Sequence, residues 1–229
     1  MKNQTLRVLV SVAAIAAPIL FLFKDIYGSF LFTFSIPLVW QFGILGRPIS
    51  SLGVRPDKVK ASIMIGVTTG CLLGFAGGII LKSLGITGYI YNSLHKLQFS
   101  NISFPLQKEV GYRLLTMSYN PAGLCLYLIF SLFIIGFGEE LFWRGFIQQK
   151  ISGYVSKDIS VWITAVLFSS IHFYIFIILP VKTGMIFLLL IGFAGIVWGY
   201  LLKYFGNIWP AAISHGIAAF IIWKYYFFK

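Results

Sequence analysis

Two adjacent carboxylates stand inside an otherwise apolar stretch, Gly136-Phe137-Gly138-Glu139-Glu140-Leu141-Phe142-Trp143-Arg144-Gly145. The chain has only six acidic residues, and the other four fall between apolar runs, at Asp25, Asp57, Glu109 and Asp158. An ionisable side chain at membrane depth costs several kcal/mol and is retained where it has a function and a partner. The pair Glu139-Glu140 therefore predicts a functional site.

Arg144 is the first partner to consider for these acids. On a helix, Glu140 and Arg144 are four residues apart with the acid N-terminal, which is the favoured order for an ion pair. Glu139 lies about 100° further around the helix and shares Arg144 less easily, so we expect it to face a cavity. The alternative is a Glu-Glu-Arg cluster that only fixes helix packing.

Composition defines the class of protein. The chain is 59% hydrophobic and 10% charged, with a mean hydropathy of +0.89, which leaves too little polar surface for a soluble domain. The formal charge of +12 does not indicate nucleic acid binding, because the basic residues sit mostly at segment ends, as they do beside a membrane. The sequence predicts an integral membrane protein embedded in the lipid bilayer.

Seven apolar runs predict an all-α, polytopic bundle of about seven transmembrane helices. A single membrane domain over 1–229, with a motif-bearing core at about 122–226, accounts for the length. The predicted spans are Val8 to Phe23, Ser29 to Leu45, Ala61 to Leu81, Ala122 to Ile147, Ile159 to Leu179, Met185 to Leu202 and Ile208 to Tyr226.

Features between and within these runs give further expectations. The segment from Arg47 to Lys60 is basic and contains two prolines, so it predicts a polar loop. The third run carries a glycine at every fourth position, which predicts a helix packing seam at Gly66, Gly70, Gly74 and Gly78. The stretch from Lys82 to Asn120 is more polar and predicts an interfacial segment, and its His95 is expected in a solvated loop.

The other two of the chain's three histidines, His172 and His215, fall inside predicted spans on different helices from the glutamates. Two histidines and two glutamates among few other intramembrane ionisable groups favour one shared polar site. Neutral imidazoles orient a water or a carbonyl, and a carboxylate can take a proton from that water. Amide hydrolysis is one reaction that needs this set.

Three motifs resemble those of the CAAX protease and bacteriocin-processing (CPBP) family of intramembrane glutamate proteases. Its two glutamates with an arginine four after the second resemble Glu139, Glu140 and Arg144. Its phenylalanine with a histidine four later is similar to Phe168 and His172. In its third motif, a histidine precedes an asparagine or aspartate by four; His215 matches and Ala219 does not.

The resemblance implies an intramembrane endopeptidase that hydrolyses a peptide bond of a membrane-associated protein or peptide without a cofactor or metal. Glu139 would activate the water, and His172 and His215 would assist. Glu140 would complete the catalytic group, with Arg144 and Phe168 in support. Ala219 supplies no side chain for the oxyanion, and Ser169, Ser170 and Ser214 are candidate replacements for that donor.

Two other functions stay open. The first is a non-catalytic membrane partner or bacteriocin immunity-type protein of the same family, which Ala219 favours. The second is a zinc-dependent membrane protease, in which Glu139, His172 and His215 would be three ligands with water as the fourth.

The distribution of basic residues predicts the orientation. With the N-terminus in the cytoplasm, more lysines and arginines fall on the cytoplasmic side than outside if the long polar stretch is left uncounted, so the positive-inside rule favours an outside C-terminus. The compact length favours a bacterial plasma membrane.

Overall fold

The computed structural model describes residues 35–56, 59–88, 120–177 and 179–227. The described residues are 87% helical and contain no strand, which confirms the predicted all-α class. The first predicted span, Val8 to Phe23, lies outside the described residues. Most of the predicted interfacial stretch, with its His95, also lies outside them.

Six helices organise the described part of the chain: α1 (Ser35–Ile44), α2 (Val59–Ser83), α3 (Pro121–Ile151), α4 (Lys157–Ser170), α5 (Val181–Phe205) and α6 (Trp209–Ile222). Among the described residues, α2, α3 and α5 are the three helices that are long and apolar enough to cross a membrane.

Local sequence signals set where these helices begin and end. Asn120 caps α3, because its Oδ1 accepts a hydrogen bond of 2.7 Å from the Gly123 amide, and Pro121 occupies the first turn, where its missing N–H costs nothing. At the other end of the bundle, α5 stops at Gly206, whose φ of 61° is left-handed and is readily adopted by glycine.

The predicted span from Ile159 to Leu179 was wrong as one continuous helix. Its α-helical part, α4, ends at Ser170, and a 3-10 segment follows from Ile171 to Ile177. Aromatic and β-branched residues dominate this segment and have weak helix propensity, and Pro180 disfavours helix at the residue before it. His172 therefore lies in the tighter 3-10 turn that follows α4.

The helix that carries the glutamates, α3, has wide π-type turns on both sides of them, at Ser131–Gly138 and Leu141–Gln148. Such turns are rare and are frequent at functional sites. Glu139 and Glu140 join the two wide segments, so the backbone is locally irregular where the carboxylates project.

The glycine face of α2 packs on α6, which confirms the predicted seam and identifies its partner. A Cβ at Gly70 would lie 2.7 Å from the Ser214 carbonyl oxygen, and a Cβ at Gly74 would lie 2.9 Å from the Ile221 Cβ. Gly66 and Gly78 likewise face α6 and the turns after it, against Ile213 and Tyr226. Only glycine allows so close an approach.

A second close approach joins α3 to α6. A Cβ at Gly136 would collide with the carbonyl oxygen of Ala212, and one at Gly216 would lie 2.7 Å from the Cα of Leu132. Ser131 Oγ also donates a 2.7 Å hydrogen bond to the Gly216 carbonyl. Because His215 precedes Gly216, this contact carries its ring to the side of α3 that bears the glutamates.

The described part of the predicted loop, from Arg47 to Pro56, is more closely packed than its polar composition indicated. A 3-10 turn at Ile49–Leu52 places the Leu52 side chain in the core, fully buried. The amide of Ile208 donates to the Gly53 carbonyl at 3.0 Å, so this loop is tied to the start of α6.

Candidate active site

Glu140 is the centre of a buried polar network. Its side chain is fully buried, and its Oε1 accepts a 2.9 Å hydrogen bond from Arg144 Nη1, which is the ion pair predicted from their spacing. The same oxygen lies 2.9 Å from His215 Nδ1. An ionised carboxylate only accepts hydrogen bonds, so His215 donates its Nδ1–H to Glu140.

Arg144 is held from three sides. Its Nη2 donates to the Gly195 carbonyl of α5 at 2.9 Å, and its guanidinium carbon lies 4.8 Å from the Phe168 ring centroid and 5.5 Å from that of Trp198. A Cβ at position 195 would come within 3.3 Å of Nη2. The planar guanidinium suits this combination of a carboxylate, a carbonyl and aromatic faces.

His215 is fixed in orientation by its neighbours. Its ring stacks on Trp198 with centroids 3.9 Å apart and an interplanar angle of 16°. With Nδ1 directed to Glu140, the opposite nitrogen, Nε2, faces Glu139 and lies 4.0 Å from its Oε2. Glu139 is the more accessible of the two acids, with 14% of its side chain exposed.

Phe168 connects the second histidine to this network. Its ring makes edge contacts with His172 and His215, at centroid distances of 5.2 and 5.8 Å. His172 Nδ1 lies 3.0 Å from the Phe168 carbonyl oxygen; because a carbonyl only accepts, Nδ1 carries the proton. Phe168 is itself buried, so it is a rigid contact shared by both imidazoles.

The structure thus brings Glu139, Glu140, Arg144 and His215 into one network and joins His172 to it through Phe168. The gap of 4.0 Å between Glu139 Oε2 and His215 Nε2 is one that a water can bridge with two hydrogen bonds of about 2.8 Å. A carboxylate and an imidazole nitrogen on one water can orient it and accept its proton.

Sequence reasoning missed Trp198. In the sixth apolar run, which contains it, only the glycines were considered, as packing positions. Its Nε1 donates to Ser214 Oγ at 3.0 Å, while its ring supports His215. A tryptophan N–H tends to bond an acceptor when it is buried, but the sequence does not show that Trp198 is buried. The choice of Ser214 as that acceptor follows from how α5 and α6 pack.

The three serines considered as oxyanion donors differ in their bonds. Ser169 Oγ donates to the Leu188 carbonyl and Ser170 Oγ to the Leu167 carbonyl, each at 2.7 Å. Their hydroxyl hydrogens are therefore committed to the backbone. Ser214 instead accepts its hydrogen bond, so of the three it is the one whose hydroxyl hydrogen is not used in these bonds.

A zinc site was the other chemistry that the two histidines and Glu139 left open. Across the described ranges, no group of three His, Cys, Asp or Glu side chains converges on a common metal position. The geometry therefore gives no support to Glu139, His172 and His215 as a zinc ligand set.

An all-helical membrane protein with a buried glutamate, arginine and histidine network is the class that the fold and the site define. Residues 121–221 match the family model described as Rce1-like, type II CAAX prenyl endopeptidase. The matched residues are similar to that family and include all three motifs, so the match supports the family resemblance drawn from them. Neither the curated proteins nor the solved structures contain a match to the chain.

Proposed function

We propose that this protein is an intramembrane endopeptidase that cleaves a membrane-associated protein or peptide with Glu139 as the general base. The family match supports a CAAX-type intramembrane protease as the general class of activity. The observation that carries the finer assignment is the different placement of the two acids. Glu140 is fully buried and bound to Arg144 and His215, whereas Glu139 is partly exposed and faces His215 Nε2.

In the proposed reaction, Glu139 takes a proton from a water held between its carboxylate and His215 Nε2. The water oxygen attacks the carbonyl carbon of the peptide bond and forms a tetrahedral oxyanion. The proton held by Glu139 then passes to the leaving amine nitrogen as the C–N bond breaks. Glu140 holds His215 in the tautomer that presents Nε2 to the water, and His172 helps to orient the reacting groups as a neutral imidazole.

Stabilisation of the oxyanion is the weak point of this site. Ala219 has no side-chain donor where the family motif has asparagine or aspartate, and the loss of one such donor costs about 3 kcal/mol in other hydrolases. Ser214 lies on the buried face of α6. We assign its hydroxyl as the donor that replaces the missing side chain at position 219. The enzyme is accordingly expected to be slow.

A non-catalytic partner or immunity-type protein is the second candidate, and Ala219 is the observation that favours it. The glycine face of α2 is occupied by α6, so a partner protein would have to bind at another surface of the bundle.

Replacement of Glu139 by glutamine distinguishes the two functions. Glu139→Gln keeps the shape of the side chain but removes the proton acceptor, so turnover should fall by roughly 10²-fold to 10⁴-fold, with little change in unfolding temperature. New peptide ends in the membrane proteome, compared between wild type and variant at matched expression, measure the loss. Asp158→Asn, which removes an exposed carboxylate outside the site, is the matched control.

Full biological complementation by Glu139→Gln would refute the endopeptidase proposal and favour the partner function.

A further inference from the structure

A cavity of about 230 Å³ lies at the end of the bundle where α3 and α5 finish and α4 begins. Its polar wall includes Arg55, Gln148, Gln149, Lys157 and Lys203. None of the described residues that line it is an aspartate or a glutamate. The cavity is therefore rich in positive charge and in N–H donors.

Among the described residues, only part of this positive charge is balanced. Lys203 Nζ donates a 2.6 Å hydrogen bond to Asp158 Oδ1, just outside the wall. Arg55 and Lys157 have no carboxylate beside them among the lining residues. A concave site with two such cations attracts an anion, because its walls exclude part of the solvent that would screen them.

The backbone around both cations is fixed. Asn207 is fully buried and its Nδ2 donates to the Arg55 carbonyl at 3.0 Å. On the opposite wall, Ser160 Oγ donates to the Lys157 carbonyl at 2.7 Å. Gln148 is held by a 3.0 Å bond from its Nε2 to the Gly199 carbonyl. An arriving ligand therefore has to order only the side-chain ends.

The cavity lies at the depth of lipid headgroups. Both α3 and α5 are long and apolar enough to cross a membrane, so their ends lie near its surface. Tyr154 and Tyr204, which follow α3 and close α5, are 83% and 72% exposed. Exposed tyrosines are typical of the boundary between headgroups and acyl chains.

We propose that this cavity binds a phosphate group, carried by the headgroup of an anionic phospholipid. Arg55 and Lys157 would hold the phosphate oxygens, and the side-chain amide of Gln149 would bond the rest of the headgroup. The volume is below the range of about 300–1,000 Å³ typical of sites for larger ligands, so it suits a headgroup better than a peptide segment. Basic pockets between transmembrane helices bind lipid headgroups in this way.

Such binding would reinforce the packing that supports the active site. Gln148 lies one turn after Arg144 on α3, and both donate to backbone carbonyls of α5, at Gly199 and Gly195. A headgroup that contacts Gln149 of α3 and Lys203 of α5 together would hold these two helices in register. This inference does not depend on the proposed proteolysis, because binding and unfolding are measured without a substrate.

The test is a titration of the purified full-length protein in neutral detergent, with bound lipid counted by native mass spectrometry. Phosphatidylglycerol is compared with phosphatidylcholine, whose phosphate charge is cancelled by its quaternary ammonium and whose headgroup the two cations would therefore repel. The anion sn-glycerol 3-phosphate is added as a soluble competitor. Arg55→Gln/Lys157→Gln should weaken phosphatidylglycerol binding roughly 30-fold, since each cation near the surface contributes about a factor of five. Lys60→Gln, an exposed basic residue at the start of α2 outside the cavity, should leave binding unchanged.

A headgroup site is supported if the double variant loses phosphatidylglycerol binding and Lys60→Gln does not. Displacement of the lipid by sn-glycerol 3-phosphate identifies phosphate as the recognised group. Saturable binding of the soluble ester alone would support the phosphate chemistry and assign it to a free ligand. Equal binding of both lipids, or equal binding by wild type and double variant with the same unfolding temperature, would overturn the proposal.

Discussion

Replacement of Glu140 by glutamine tests whether the buried ion pair holds the site together. The variant keeps an oxygen that can accept from Arg144 Nη1 and His215 Nδ1, each 2.9 Å away in the wild type. It removes the negative charge. Any loss of unfolding free energy beyond that of a weakened hydrogen bond therefore measures the contribution of the negative charge.

The magnitude follows from the burial of Arg144, which is 0% exposed. Breaking a buried ion pair by removing one partner costs about 3–5 kcal/mol, because the other charge is left uncompensated. The Gly195 carbonyl and the faces of Phe168 and Trp198 still interact with the guanidinium, and cation–π contacts of this kind contribute about 1–2 kcal/mol. We therefore expect the lower end, about 3 kcal/mol, which is a large part of a total stability of about 5–15 kcal/mol.

Equilibrium unfolding in detergent micelles, followed by tryptophan fluorescence, measures this free energy. The double variant Glu140→Gln/Arg144→Met should regain most of the loss, since an apolar replacement of a buried pair is often neutral. Asp158→Asn breaks an exposed ion pair and should lose much less stability than Glu140→Gln, because exposed pairs contribute little. A single variant within about 0.5 kcal/mol of wild type, or a double variant as unstable as the single one, would refute the reasoning.

Three further predictions concern packing, the oxyanion and pH. Gly70→Ala should lower the unfolding free energy by about 1–3 kcal/mol, because its Cβ would lie 2.7 Å from a carbonyl oxygen of α6. The control Gly77→Ala, whose Cβ would have its nearest neighbour at 3.7 Å, should be neutral or stabilising in the same unfolding assay. Ala219→Asn should raise turnover by up to roughly 10²-fold by restoring a donor; an equal rise in the apolar variant Ala219→Leu, measured in a peptide cleavage assay, would contradict this. The hydrogen bond from Lys203 lowers the pKa of Asp158, so the pair stabilises the fold above the ordinary carboxyl pKa of about 4 and stops doing so as the pH falls through the lowered value. The difference in unfolding temperature between wild type and Asp158→Asn should therefore vanish in acid, and a difference that grows in acid would exclude this assignment.

Helix content and the ion pair were predictable because both depend on short-range features of the chain. A residue pair four apart on a helix meets wherever the helix lies, and this is how Glu140 and Arg144 are placed. The glycine spacing on α2 likewise predicted a seam. The end of α4 was missed, because hydropathy marks an apolar run without showing where its α-helix turns into a 3-10 helix.

The sequence by itself determined that this protein is a helical membrane protein, that two carboxylates lie within it, and that Glu140 pairs with Arg144. Composition and spacing along one helix suffice for these features. Only the tertiary structure decided that His215, 75 residues from Glu140, donates to that acid while its other nitrogen faces Glu139, and that Trp198 stacks on its ring. These contacts depend on the rotation and depth of three separate helices, which are set by close packing at Gly136, Gly195 and Gly216 and not by any spacing along the chain.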